Sequence, residues 1–91
     1  MATASRATSI KNTYGFHVRP STTFYKLANT FKSSITVEAN GQAVDGKSIM
    51  ALMGLGAHQG VEVNISCDGD DAEAACTALV ALVDSRFNGI E

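Results

Sequence analysis

The sequence lacks several features that would point to whole classes of protein. Its 91 residues leave room for one compact domain and not for two. No apolar run approaches the about 20 residues that a membrane-spanning helix needs, and residues 78–83 form one of the longest. The opening residues show no basic start followed by an apolar stretch, so no secretory signal is indicated. We therefore expect residues 1–91 to form a single cytoplasmic domain that does not insert into a membrane.

Cysteine is also scarce. The chain has two cysteines, Cys67 and Cys76, which are too few and too irregularly spaced for a disulfide scaffold or a zinc ligand set. Cys67 lies in register with the alternating apolar residues that precede it, so we expect buried, free thiols. The sequence implies no metal and no other cofactor.

Charge is unevenly distributed along the chain. The first 32 residues contain no acid and five basic residues, a formal charge of +5. The remaining residues contain nine acids and two bases, which brings the net charge to −2. This asymmetry predicts an anionic ligand or an acidic partner near the N-terminal third, with scattered, solvated lysines as the alternative. Nucleic acid is not indicated, because the overall balance is acidic and no basic strand carries interleaved aromatic residues.

Apolar periodicity predicts the first elements of the fold. A weak alternation over residues 6–11 predicts an edge strand. The i, i+3, i+4, i+7 spacing that starts at Phe24 predicts a helix that begins near residues 17–19. Asn40-Gly41 is typical of a two-residue hairpin turn between strands at 34–39 and 42–45.

The second half of the chain continues the pattern. Ser48 is a good N-cap for a short helix over residues 49–55, and residues 61–67 alternate as a half-buried strand. Asp70 followed by Glu73 resembles a capping box, which predicts a last helix whose apolar stripe runs up to Arg86 and Gly89. Because each strand has one apolar face, we predict an α+β open-faced β-sandwich of order βαββαβα, with a four-stranded antiparallel sheet and three helices on one face.

The segment 15–20, Gly-Phe-His-Val-Arg-Pro, holds the residues best suited to chemistry. His17 and Arg19 lie two residues apart at a predicted helix start, where amide groups and the helix dipole attract an anion. The same positive field disfavours an imidazolium, so we expect a neutral, nucleophilic His17. With Arg19 holding the oxygens, this imidazole is a workable phosphoryl acceptor. An exposed histidine beside a solvated arginine is the alternative, and the lack of a nearby Asp, Glu or Cys argues against a hydrolase.

The segment 15–20 resembles the Gly-Φ-His-x-Arg-Pro active-site motif of HPr, the histidine phosphocarrier family of the phosphoenolpyruvate-dependent sugar phosphotransferase system. Asn40-Gly41, the Gly-Lys-Ser-Ile-Met of residues 46–50 and Gly60 recur in that family's order, so the resemblance covers about residues 5–88. It implies a phosphoryl carrier and not an enzyme. His17 would accept phosphate from phospho-enzyme I with the help of Arg19, and IIA domains of sugar permeases would receive it.

The same resemblance implies regulation and a partner surface. Ser48 matches the family's second phosphorylation position, which is modified where a serine kinase/phosphorylase exists, with a plain helix cap as the alternative. Met50 and Met53 are either core residues or an exposed patch that adapts to several partners. The partner-binding residues that we expect are Phe16, Lys26, Lys47, Ile49, Met50 and Met53.

Some residues depart from the family's pattern, and other functions remain open. His58 is expected to be a surface histidine, and Tyr14 and Phe16 are bulkier than the usual neighbours of the site. A regulatory paralogue that carries phosphate in a nitrogen-linked relay fits the same sequence. An acylphosphatase-like enzyme shares a related element order, but it needs an arginine on a Gly-rich loop and a water-positioning asparagine. A metal chaperone would need a Cys-x-x-Cys motif, which is absent.

Overall fold

The computed structural model describes residues 2–90. Within this range no helix is both long and apolar enough to cross a membrane. In chain order the elements are β1 (Thr3–Ser9), α1 (Val18–Ala28), β2 (Ser34–Ala39), β3 (Gln42–Asp45), α2 (Ile49–Met53), β4 (Glu62–Asp68), α3 (Ala72–Asp84) and a short C-terminal segment, Arg86–Gly89.

The four strands form one sheet in the order β1-β4-β2-β3, and every neighbouring pair is antiparallel. Burial alternates along β2 and β4, so one face of the sheet is buried and the other is exposed. The register pairs Val37 with Ile65 across the centre of the sheet, and both side chains are buried. This period of two is what one covered face requires.

The helices cover the buried face. α3 packs against β1 and β4, and α1 packs against α2 and α3. The apolar spacing of α1 turns Phe24 and Ala28 into the core, where neither is exposed. The predicted α+β open-faced sandwich is therefore confirmed.

The hairpin is confirmed residue by residue, whereas β1 lies earlier than predicted. Strands β2 and β3 match the predicted residues 34–39 and 42–45. β1 ends at Ser9 instead of Lys11 because its ladder to β4 starts at Thr3, opposite Asp68. β1 is an edge strand as predicted, but its side chains are exposed or half-buried, so apolar alternation could not define its ends.

The predicted capping box of Asp70 and Glu73 is wrong. The N-cap of α3 is Asp71, and its side chain makes no bond to its own helix. Its carboxylate accepts hydrogen bonds from the backbone N–H groups of Lys32 and Ser33 and from the Ser33 hydroxyl. These bonds, the Ser33 hydroxyl first, lower the pKa of Asp71. Asp71 thus ties the loop before β2 to the start of α3, because the backbone donors of that loop need acceptors.

α3 ends at Asp84, two residues before the predicted limit at Arg86. The chain then turns left-handed, with φ of 59° at Arg86, 54° at Phe87 and 63° at Asn88. Such angles cost about 1–2 kcal/mol for each non-glycine residue. Complete burial of Phe87, a gain of about 1.5–3 kcal/mol, offsets much of that cost.

Polar contacts attach the edge strand to α3. Asp84 accepts hydrogen bonds from the Thr8 hydroxyl and from Lys11 Nζ, the latter at 2.9 Å. These two bonds, that of Thr8 first, lower the pKa of the Asp84 carboxyl. Arg6 and Glu73 form a second, looser ion pair at 3.9 Å. An otherwise polar strand is thereby held to the layer of helices.

Both cysteines are buried free thiols, as predicted. Burial raises the pKa of Cys67 to about 12 and also raises that of Cys76. A thiol with a raised pKa is rarely a thiolate near neutral pH, so both cysteines act as small apolar side chains.

Candidate functional site

His17 is the residue from which α1 starts. It is the N-cap of α1, with extended backbone angles of φ −83° and ψ −169°, and it is half-buried. Its carbonyl accepts the N–H of Ser21 at 3.0 Å, which is the first bond of the helix. The sequence predicted a helix start at residues 17–19, and that prediction is confirmed.

The loop before His17 is held against the segment around Ala57. The Phe16 N–H donates to the Ala57 carbonyl at 3.1 Å, and Gly15 lies against the same carbonyl with φ +60°. A Cβ at Gly15 would lie only 1.9 Å from that oxygen, so only glycine fits this position without a shift of the backbone.

Two further hydrogen bonds converge inside the loop, on the Gly15 carbonyl. It accepts the backbone N–H of His17 at 3.0 Å. It also accepts Nδ2 of Asn12 at 2.9 Å, and Asn12 is fully buried. The loop that presents His17 is thus fixed by main-chain hydrogen bonds and by the side chain of Asn12.

Tyr14 contacts the His17 ring. The two ring centroids are 6.0 Å apart and the ring planes are nearly perpendicular, at 89°. Edge-to-face pairs of this kind stabilise one relative orientation of the two rings. Tyr14 itself is 69% exposed, so it limits the rotation of the imidazole and still presents an aromatic surface to solvent.

Arg19 is exposed in the first turn of α1, and among residues 2–90 it takes part in no ion pair. No acidic residue lies in that turn, and the His17 side chain makes no capping bond to the helix. The first amides of a helix point outward from its start and attract anions together with the helix dipole. His17 and Arg19 therefore both lie at the start of α1, the helix start that the sequence predicted.

Ser48 is the N-cap of α2, as predicted. Its hydroxyl oxygen accepts the N–H of Ala51 at 3.3 Å, and the residue is half-buried. α2 packs against α1, which starts at His17. α2 is shorter than predicted and ends at Met53, because the amides of Gly54 and Leu55 close the last turn.

The two methionines of α2 are exposed, and the core alternative for them is wrong. Met50 is 83% exposed and Met53 is 40% exposed, whereas Leu52 between them is buried. On α1, Val18 is 58% exposed. We call Val18, Met50 and Met53 the apolar patch. Exposed apolar residues grouped on neighbouring elements are typical of a protein-binding surface.

The remaining partner-binding candidates differ in exposure. Lys26 is exposed in the last turn of α1, and Ile49 is half-buried. Lys47 Nζ donates to the Phe31 carbonyl at 2.8 Å, so its ammonium already ties the start of α2 to the chain after α1.

Phe16 lies inside the core, which does not fit a direct contact with a partner. It is 4% exposed and packs edge-to-face against Phe24 and Phe87, with centroid distances of 5.5 Å and 5.3 Å. The physical reason is its position immediately before the helix, where the backbone turns its ring inward. Phe16 therefore anchors the His17 loop to the hydrophobic core.

The other histidine follows Ala57, and its Cα lies 2.7 Å from the position that a Cβ would take at Gly15. His58 is exposed, as predicted. Within residues 2–90, no three His, Cys, Asp or Glu side chains are grouped closely enough to hold a metal ion.

Sequence reasoning missed the supports of the site. Residues 12–15 predict only a turn, and nothing in the sequence indicates that Asn12 is buried or that Ala57 accepts the Phe16 N–H. The burial of Asn12 and the Ala57 contact depend on tertiary docking. The one available signal was Gly15, since a glycine before a helix start is typical of close backbone approach.

Together the fold and the site define a class: a small α+β open-faced sandwich that presents a histidine and an arginine to an anion at a helix start. Residues 4–85 match the family model PTS-HPr, described as "PTS HPr component phosphorylation site". The chain belongs to this HPr family and is a phosphocarrier of the phosphotransferase system.

Individual relatives agree with this assignment. The chain is 43% identical over 82 residues to the phosphocarrier protein HPr of Cupriavidus necator, covering 90% of this chain and 92% of that protein. It is 34% identical over 87 residues to the phosphocarrier protein NPr of Proteus mirabilis, covering 94% and 97%. A crystal structure of HPr-C-His from Thermoanaerobacter tengcongensis superposes with a TM-score of 0.91 at 42% identity, covering 97% and 99%. The acylphosphatase-like alternative has no support among these relatives.

Proposed function

We propose that His17 accepts a phosphoryl group from phospho-enzyme I and passes it to IIA domains of sugar permeases. An imidazole nitrogen of His17 attacks phosphorus with its lone pair. A phosphorus–nitrogen bond forms while the bond from phosphorus to the donor breaks, and the donor leaves with that electron pair. The observation that carries this proposal is His17 at the start of α1, with Arg19 in the first turn.

The local charges favour this transfer. A phosphoryl group spreads negative charge over three oxygens in the transition state. The helix start contributes about 0.3–1 kcal/mol toward an anion, and up to about 2 kcal/mol where it is partly buried. Arg19 adds a positive charge that other side chains of residues 2–90 do not neutralise. We assign Arg19 the role of stabilising the oxygens during transfer.

The site also suits a carrier better than a hydrolase. The first turn of α1 contains no acidic residue, so no neighbouring carboxylate is positioned there to activate water. A phosphohistidine with no adjacent general base persists long enough to meet the next partner. We therefore propose that the protein is a phosphoryl carrier, which is a substrate of enzyme I and not itself an enzyme.

We assign partner contact to the apolar patch and the basic residues around it. Methionine side chains are flexible and polarisable, so one surface of this kind can adapt to several partners. The formal +5 charge of the first 32 residues favours partners with an acidic surface. We assign the exposed Lys26 and the half-buried Ile49 to the same partner surface. Lys47 ties the start of α2 to the chain after α1 through its bond to the Phe31 carbonyl. Because these partners work at the cytoplasmic side of permeases, we propose a cytoplasmic location.

Ser48 is the proposed regulatory site. A serine kinase would transfer the terminal phosphoryl group of ATP to the Ser48 hydroxyl, releasing ADP and a proton. The phosphate would add about 1.5–2 negative charges at pH 7, beside a surface that we assign to acidic partners. We therefore expect phosphorylation of Ser48 to weaken docking.

A nitrogen-linked relay is the second candidate function, and the similarity to the NPr of Proteus mirabilis supports it. The higher identity to the HPr of Cupriavidus necator, 43% against 34%, favours the sugar relay. Transfer from the phosphorylated chain to a sugar-permease IIA domain and to a nitrogen-branch IIA domain, measured side by side, distinguishes them. The faster acceptor identifies the branch.

The test of phosphoryl acceptance uses both histidines of the chain. His17→Ala should abolish uptake of phosphate from phosphoenolpyruvate and enzyme I, because the nucleophile is gone. The matched control, His58→Ala, removes the exposed side chain of the other histidine and should accept phosphate normally. Uptake by His17→Ala, or its loss in a folded His58→Ala, would contradict the proposal.

A further inference from the structure

Asn12 is an unusual residue for its location. Asparagine is mostly found on protein surfaces, yet Asn12 is 0% exposed. It lies in the loop between β1 and α1, five positions before His17. Burying an amide costs free energy unless it is hydrogen-bonded, so a buried asparagine in such a loop has a specific bond to make.

The carbonyl that accepts the Asn12 bond also binds the backbone of His17. Asn12 Nδ2 donates to the Gly15 carbonyl at 2.9 Å, and the same carbonyl accepts the His17 N–H at 3.0 Å. A carbonyl oxygen has two lone pairs, so it can accept both donors at once. Asn12 therefore fixes the orientation of the peptide group that in turn binds the backbone of His17.

The opposite side of the loop has a different support. The Phe16 N–H donates to the Ala57 carbonyl at 3.1 Å, and the Asn40 side chain bonds the carbonyls of Leu55 and Gly56 just before it. These bonds hold the Phe16 amide. The Phe16 N–H and the Gly15 carbonyl point in opposite directions from one planar peptide unit, so Ala57 holds this unit from one side and Asn12 holds it from the other.

We propose that Asn12 is a positioning residue for phosphoryl transfer: through the Gly15 carbonyl, it sets the position of the His17 backbone and hence of the imidazole. Asn12 touches neither phosphate nor partner in this role. The inference rests on the proposed acceptor role of His17. Transfer reactions are sensitive to such placement, since an error of about 1 Å can cost about 100-fold in rate.

The experiment compares two substitutions of Asn12 that differ in size and charge. Asn12→Ala leaves a space and Asn12→Asp adds a charge, but both remove the Nδ2 donor. Asn64→Asp is the matched control, because Asn64 is exposed on β4 and its side chain accepts from Ser5 on the sheet. Each variant is first compared with wild type by thermal unfolding, and kinetics are measured where all are folded.

We expect kcat for phosphorylation by enzyme I to fall about 10- to 100-fold in both Asn12 variants, with KM changed less than threefold. KM should hold because Asn12 is buried and the apolar patch is intact. The His17 amide resonance should shift in both variants, and Asn64→Asp should match wild type. A purely structural role would instead lower the fraction of active protein and leave kcat per folded molecule unchanged.

Wild-type kcat in a folded Asn12→Ala or Asn12→Asp overturns the inference. If neither variant folds, the wild-type chain decides: a scalar coupling across the hydrogen bond between Asn12 Nδ2 and the Gly15 carbonyl carbon supports the inference, and its absence overturns it. Failure of the proposed function is separate, because then wild type itself takes up no phosphate.

Discussion

Gly15 gives the sharpest test of how the His17 loop is held. Replacement by alanine places a Cβ where the Ala57 oxygen lies 1.9 Å away, and the backbone there has φ +60°. Contacts of real Cβ atoms essentially never fall below 3.0 Å, so the loop must move by about 1 Å or more. That movement separates the Phe16 N–H from the Ala57 carbonyl.

The expected loss of stability has two parts. A positive φ costs alanine about 1–2 kcal/mol relative to glycine. Loss of the Phe16–Ala57 hydrogen bond, 3.1 Å in the native loop, costs about 0.5–1.5 kcal/mol. Together they lower the free energy of unfolding by about 1.5–3.5 kcal/mol. For a domain of this size this corresponds to a fall of about 6–28 °C in Tm.

Gly41→Ala is the matched control. Gly41 also has a positive φ, +78°, but no atom lies within 4 Å of the position that an alanine methyl group would take there. The Gly41→Ala variant should therefore lose only the part of the unfolding free energy that comes from the positive φ, about 1–2 kcal/mol. It should keep the wild-type rate of phosphoryl uptake. Gly15→Ala should be less stable than Gly41→Ala and, when folded, should accept phosphate about 100-fold more slowly.

Thermal unfolding and rapid-quench phosphorylation measure both quantities on the same samples. Equal Tm values for the two alanine variants would refute the argument that Ala57 confines Gly15. A wild-type transfer rate in Gly15→Ala, despite its lower Tm, would refute the claim that the docked loop places His17 for reaction.

Three further predictions address charge. Arg19→Ala should slow phosphoryl transfer about 10- to 100-fold, as expected for loss of a charge-assisted contact. The amount of phosphate bound per chain at completion should stay the same. Rapid-quench kinetics indistinguishable from wild type would mean that Arg19 is only a solvated surface charge. Ser48→Ala should lose about 0.5–2 kcal/mol of stability with its cap, whereas Ser48→Asp should keep the cap and bind enzyme I more weakly at low ionic strength, where screening is least. Unchanged affinity of Ser48→Asp in a calorimetric salt series would leave Ser48 a plain cap. Hydrogen bonds lower the pKa of Asp71 and Asp84 in the folded state, so their stabilisation is fully present above the ordinary aspartate value of about 3.9 and is lost as the pH falls through the lowered folded values. Denaturant unfolding across that range should show a smaller acid loss in Asp71→Asn than in wild type, and equal losses would contradict this assignment.

Local signals account for the parts of the fold that the sequence predicted well. Asn40 and Gly41 adopt the positive φ values, 53° and 78°, that a tight hairpin turn requires, so the ends of β2 and β3 followed directly from two residues. Ser48 caps α2 because a serine directly before an apolar run can accept an N–H of the first turn with its hydroxyl oxygen. The pair His17 and Arg19 could be found because both lie on one helix start.

Long-range contacts account for what the sequence did not predict. Asp71 resembles an ordinary helix cap, but its carboxylate oxygens accept from Lys32 and Ser33, which are distant in sequence. Asn12 resembles a turn residue, and only docking of the loop buries it. Phe16 resembles a surface neighbour of the site until Phe24 and Phe87 enclose it.

The most direct test of the account is to locate the phosphoryl group on the wild-type chain. The protein is incubated with phosphoenolpyruvate and enzyme I, digested at neutral pH, and its peptides are analysed by mass spectrometry before and after brief acid treatment. We predict a single phosphoryl group on the peptide that contains His17, lost in acid as a phosphorus–nitrogen bond should be. No uptake, an acid-stable phosphate, or a phosphoryl group on the peptide that contains His58 would contradict the account.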